Sequence, residues 1–157
     1  MRSKADLRKE LVARLAADLE TLESALRATI QGATHEEAKP ENDKDTRALE
    51  QSYLARGQAQ RVDELRLALA ETESLFVRDF ADSPAALGAL VVVDEDGRGS
   101  WLFLAPAGGG AHLADGKVQV VTPRSPLGQA VLGKRAGDEV EVTIAGRRRT
   151  LHVVDVR

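Results

Sequence analysis

Five carboxylates crowd one short stretch of this chain: Glu36, Glu37, Glu41, Asp43 and Asp45, set against only Lys39 and Lys44. Their surplus equals the formal net charge of −3 carried by the whole sequence, so everything else is electrically neutral. Carboxylate oxygens are what hard divalent cations bind, and one or two acids at the end of an element can complete an ion site that another molecule holds only in part. Glu41, with Asn42 beside it, is the first candidate for that role. Asp43 is the second, and Glu37 and Asp45 follow. The bland alternative is a solvated acidic loop.

Other patterns that could do chemistry are less specific. Gly128 to Lys134 matches G-x-x-x-x-G-K, the opening of a phosphate-binding loop. The intervening Gln129-Ala130-Val131-Leu132 is helix-prone, however, whereas a phosphate cradle needs free backbone N–H groups, and Arg135 stands where a Ser or Thr is required. We read a chance match. His35, His112 and His152 are widely separated, with no pair at helical metal-binding spacing. Ser125 lacks a Gly-x-Ser-x-Gly setting, and the prolines around it suit a turn and a helix cap. Arg147-Arg148-Arg149 could meet a phosphate backbone or an acidic protein surface. The preferred reading is a charged hairpin that keeps an edge strand soluble.

The acids need an element to carry them. Leu7, Leu11, Leu15, Leu19, Leu22, Leu26 and Ile30 recur at spacings of three and four, one apolar stripe on a helix of about seven turns. Gly32-Ala33-Thr34 predicts its end. A second helical pattern runs from about Asp43 to Ser74 through Leu49, Tyr53, Ala55, Ala59, Val62, Leu65 and Leu69. Pro40 suits the connector or a first helical turn. Two such helices would pack antiparallel as a coiled-coil hairpin, residues 1–76, with the acids near 35–45 at its tip. At 1.5 Å per residue, a first helix from Lys4 to Gln31 spans on the order of 40 Å.

Residues 77–86, with Asp82-Ser83-Pro84, read as a linker where the period changes. Strands are expected at Leu87–Val93, Ser100–Leu104, Val118–Val121, Val140–Ile144 and Leu151–Val156, with turns at Asp96-Gly97, Gly108-Gly109-Gly110, Asp115-Gly116 and Ala145-Gly146. Ser125 to Leu132 reads as a short helix with proline at its start. The expected class is α+β: a helical hairpin, then an antiparallel sheet wrapped on one short helix over 87–157.

Composition agrees with a folded, soluble chain. Of 157 residues, 43% are apolar and 30% charged. Cysteine is absent, which excludes disulfides and thiolate metal sites and fits a reducing cytoplasm. The N-terminal residues lack an apolar signal core, and the longest apolar run, Ala89 to Val93, is too short to span a bilayer. No broad basic face marks an independent nucleic-acid binder. The expected location is cytoplasmic.

Val121-Thr122-Pro123-Arg124-Ser125-Pro126-Leu127-Gly128, then Leu132-Gly133-Lys134, then Gly137-Asp138-Glu139-Val140 resemble, in order and spacing, the signature of the GreA/GreB family of transcription factors. The N-terminal half is similar in layout rather than in letters. The resemblance implies an FKBP-like second domain that docks on RNA polymerase, with Pro123, Arg124, Ser125, Pro126, Leu127, Gly128 and Lys134 as candidate contacts. It also implies a coiled coil that enters the polymerase secondary channel. There the tip acids help hold Mg2+ in the polymerase's own active site, where backtracked RNA is hydrolysed. Such a factor needs no cofactor in isolation, is no enzyme by itself, acts as a monomer, and meets RNA and DNA only within the elongation complex.

The tip departs from the family pattern Asp-Leu-x-Glu-Asn-x-Glu-Tyr. Set on Glu41-Asn42, that pattern finds Ala38 in place of its aspartate and Asp45 in place of its tyrosine. Shifted by about one turn, it finds Glu41 at the aspartate and Lys44 at the glutamate. Two readings of function stay open on this ground: stimulation of transcript cleavage, or a non-cleaving, inhibitory occupant of the channel. Prolyl isomerase activity is a third, from the implied fold alone. It is disfavoured because such pockets are lined with aromatics and this chain has 3%.

Overall fold

The computed structural model describes residues 2–37 and 43–157, with the side chains of 33–45 outside that description. Two long helices come first, α1 (Lys4–Glu37) and α2 (Asp43–Glu73). Six strands and a short helix follow: β1 (Leu90–Glu95), β2 (Arg98–Leu104), β3 (His112–Leu113), β4 (Val118–Val121), α3 (Pro126–Val131), β5 (Glu139–Ile144) and β6 (Arg147–Val156). The class is α+β, as the sequence predicts. By its contacts the chain forms two compact units, Met1–Val12 with Ala70–Arg157, and Ala13–Leu69.

In the first unit, α1 opens on a reciprocal cap. The Asp6 amide donates to Ser3 Oγ at 3.1 Å, and the Ser3 hydroxyl donates to Asp6 Oδ2 at 2.6 Å. The Ser3 amide also donates to Asp6 Oδ2, at 3.3 Å, so the Asp6 and Ser3 N–H groups that a helix start leaves unpaired are both satisfied. Leu7 and Leu11 are completely buried. A Cβ on Gly108 would sit 2.6 Å from a Leu11 methyl, so the glycine is what lets this turn of α1 approach the loop after β2. Glu10 Oε2 accepts from the Ala114 amide at 3.1 Å and from Arg2 Nη1 at 2.9 Å.

The sheet runs β3-β4-β2-β1-β6-β5. It is mixed, not antiparallel as expected, because β2 pairs in parallel with β4. A parallel pair needs a long connection, and the stretch from Ala105 to Lys117, with β3 inside it, supplies one. One face builds the core from Val91, Val93, Leu102, Leu104, Val153 and their neighbours, with Phe80 and Ala85 from the segment before β1. Alternate residues, Phe103 and Val120 among them, are buried on the other face. Strand β1 begins at Leu90 rather than Leu87. Gly88 has φ of +92°, and a Cβ there would meet the Phe76 carbonyl oxygen at 2.6 Å, so the chain turns at this point, with the Gly88 amide donating to Leu104 O at 2.8 Å just ahead of the regular ladder.

In the second unit α1 passes the expected stop and continues to Glu37. Gly32 is absent from the positive-φ glycines, so it makes no left-handed helix end, and glycine in a helix interior only costs about 1 kcal/mol. The apolar stripe is also less buried than expected. Leu15 and Val62 are enclosed, but Ile30, Leu49 and Tyr53 are 48%, 52% and 58% exposed. Two helices share a single seam, and among the described residues no third layer covers their flanks in this unit. Arg66 Nη2 bonds Glu23 Oε1 at 2.8 Å across that seam.

Candidate functional site

The conspicuous motif from Pro123 to Lys134 builds α3 and its supports. Ser125 is the N-cap, extended at φ −78° and ψ 151°. Its Oγ accepts from the Gly128 amide at 3.1 Å and the Thr122 amide at 3.2 Å, and donates to the Thr122 carbonyl at 2.9 Å. Pro126 follows at the first helical turn, where its missing N–H costs nothing and its fixed φ suits the helix. Gly128 is forced by contact rather than by φ: a Cβ there would lie 1.7 Å from the Thr122 carbonyl oxygen. After the helix, Gly133 turns with φ of +77°. The Gly133 amide donates to Ala85 O at 2.7 Å, and the Ala85 amide donates to Lys134 O at 2.8 Å, which ties the motif to the core segment before β1.

The same bonds dispose of the phosphate-loop match. The amides of Gly128, Gln129 and Leu132 are already donated to Ser125 Oγ, Ser125 O and Gly128 O. They cannot also cradle an anion.

What the motif leaves outward is a short ledge. Arg124 and Pro126 are exposed, Leu127 and Lys134 partly so, while Gly128 is buried. On one side of Pro126 lies a largely apolar groove of about 300 Å3, walled by Val120, Val121, Leu127 and Ile144. On the other is a polar hollow of about 470 Å3 that includes Arg124, Gln129, Glu141 and Thr143. An apolar groove beside a cation suits a protein surface with an apolar anchor and an acidic rim. No aromatic side chain lines the groove, and Phe103 is wholly buried.

The arginine run is divided. Arg149 Nε donates to Glu95 Oε1 at 2.7 Å in a two-bond pair joining β6 to the end of β1. Those bonds hold the Glu95 carboxyl below its usual range and raise Arg149. Arg147 and Arg148 stay exposed, Arg148 with its Nε 3.9 Å from Glu141 Oε2 in a loose surface pair.

Of the candidate acids, Glu37 is the last residue of α1, Asp43 the first of α2, and Asp45 lies in the first turn of α2. Glu41 lies outside the described residues, as do the side chains of Glu37, Asp43 and Asp45. Among the described residues no cluster of three or more His, Asp or Glu side chains is placed to hold a metal ion, and no helix is long and apolar enough to cross a membrane. Sequence reasoning missed Glu10 and the Ser3–Asp6 cap. The second had a readable signal, Ser3-x-x-Asp6, just before an apolar run.

Comparison with known proteins agrees with the motif. Residues 109–157 match the family described as transcription elongation factor, GreA/GreB, C-terminal. Transcription elongation factor GreA of Rhodospirillum rubrum is 30% identical over 152 residues, covering 93% of this chain and 92% of that protein. GreA of Syntrophus aciditrophicus is 31% identical over 74% of this chain and 69% of its own. Among solved structures, GreA factor homolog 1 of Thermus thermophilus aligns over 93% of this chain and 94% of its own, with 21% identity and a TM-score of 0.39. With a relative at this identity matched along nearly its whole length, the chain belongs to the GreA/GreB family of transcription elongation factors.

Proposed function

We propose that this chain binds bacterial-type RNA polymerase through the ledge around Pro126. It then lends the carboxylates at the α1–α2 junction to the polymerase's catalytic centre, promoting hydrolysis of backtracked RNA. The observation that carries this reading is end-to-end similarity to a GreA factor, joined to a docking motif whose bonding network is fully built. Two carboxylates, Glu41 and Asp43, supply the oxygen donors Mg2+ prefers but far fewer than its roughly six ligands. The remainder come from the polymerase, its RNA and water. The chain alone therefore performs no chemistry; its acids position and neutralise.

A second reading rests on the tip itself. With Ala38 where the family carries an aspartate and Lys44 among the acids, the protein would occupy the channel without completing the ion site, and so inhibit. One experiment separates the two: a purified backtracked elongation complex, incubated with this protein and Mg2+, scored for shortened RNA. Shortened RNA supports cleavage. Intact RNA with slowed elongation supports inhibition, and no effect with no binding removes both.

A further inference from the structure

The seam between the two helices changes character along its length. Beyond Leu15 on α1 and before Val62 on α2, none of the described side chains is fully buried. The seam of α2 in this outer half carries Gln51 and Gln58, seven residues apart and so on one heptad position. The Oε1 atoms of both are buried without a hydrogen-bond partner in the protein. A buried acceptor left unpaired loses its water and gains nothing in return. Gly32 faces Gln51, whose Oε1 would lie 3.5 Å from a Cβ at that position. Gly57 adds a second helix-interior glycine with nothing within 4 Å of where its Cβ would be. Glycine there loosens the helix and fills no space. Of the large apolar side chains in this half, Leu22 and Leu26 are only partly buried, and Ile30, Leu49, Tyr53 and Leu54 are each about half exposed.

We propose that residues 22–32 and 48–58 form one cooperative opening unit, a seam that unzips and recloses while Leu15, Val62 and the β unit stay folded. Gln51 and Gln58 set its low stability. Because the two helices open together, a change on α2 must be felt on α1. Proteins open in cooperative segments whose free energies range from near zero to that of global unfolding, and an element with a half-polar seam and few buried contacts falls at the low end. This inference stands whether or not the chain promotes RNA cleavage.

Amide hydrogen exchange on the full chain tests it. Amides of 22–32 and 48–58 should exchange at least tenfold faster than those of 15–19 and 62–69. In the Gln51→Leu, Gln58→Leu double variant both segments should slow by tenfold or more, α1 included, with the β-unit amides unchanged. Gly57→Ala, for which there is open space, should slow the same α1 amides several-fold although it lies on the other helix. Uniform protection along the wild-type hairpin would overturn the proposal. So would slowing confined to α2 in both variants, because that would reveal independent fraying rather than a shared opening.

Discussion

At Gly128 a single hydrogen decides whether α3 can sit where it does. With Thr122 O only 1.7 Å from the would-be Cβ, the clash is with backbone, which cannot swing aside. Gly128→Ala should therefore cost at least ~3 kcal/mol, the upper range for forced overpacking, read as a lower urea midpoint. Ser125→Ala removes a cap and its bonds to Thr122. It should cost about 1 kcal/mol, and polymerase affinity should fall with it if α3 presents the docking ledge. Glu95 offers a pH-dependent test. Its folded pKa is depressed by the Arg149 hydrogen bonds, so the pair's stabilisation is present above the unfolded carboxyl pKa of about 4 and fades as pH falls through the lower folded value. Acid titration of Glu95→Gln should show a flatter stability loss than wild type in that window. Equal slopes would show that the pair contributes nothing.

On the scale of elements, the first three turns of α1 belong with the sheet. Leu7 and Leu11 are wholly buried, and Glu10 bonds the Ala114 amide. Leu11→Ala should destabilise the β unit by about 2–5 kcal/mol, as loss of a buried leucine does. Thermal unfolding monitored at Trp101, in β2, would report it, and a Trp101 transition that ignores the change would count against this packing. The arginine run illustrates how one element splits a motif. Strand β6 exchanges bonds with β1, so Arg149 is drawn into an ion pair while Arg147 and Arg148 remain outside it.

For the whole molecule, the two units cut across both long helices rather than between helices and sheet. A chain starting at Ala13 should consequently have a weakened β unit, with Leu7, Leu11 and the Glu10 acceptor gone. Its amide exchange over 90–121 should rise well above that of the full chain. Function is tested at this scale too. Changing Glu41 and Asp43 together to Ala removes two carboxylates at positions off the leucine stripe. If the cleavage reading holds, polymerase affinity should persist while cleavage falls by about one to several orders of magnitude, as when a few kcal/mol of transition-state stabilisation is lost. If the chain inhibits, the same change should relieve inhibition. No change in either assay would leave the acids merely solvated.

Local chemistry determined much of this from sequence alone. The leucine spacing of α1, the short run Val118–Val121 and the Ser125-Pro126 start of α3 each read correctly, because caps, periodicity and turn residues act within a few positions of themselves. The family was legible for the same reason: Gly128 and Ser125 are fixed by contacts inside one short segment, and Gly133 by the turn that follows it. Tertiary structure decided what depends on distant neighbours. The parallel β2–β4 pairing comes from how a long connection folds back, and no period-2 pattern encodes the direction of a partner strand. Leu49 and Tyr53 fit the helical stripe yet stay exposed, since burial needs a second surface and a two-helix seam offers only one. Gly108 looked like a turn residue in a glycine run, and only its approach to Leu11, nearly a hundred residues earlier, shows that it also makes room for a helix.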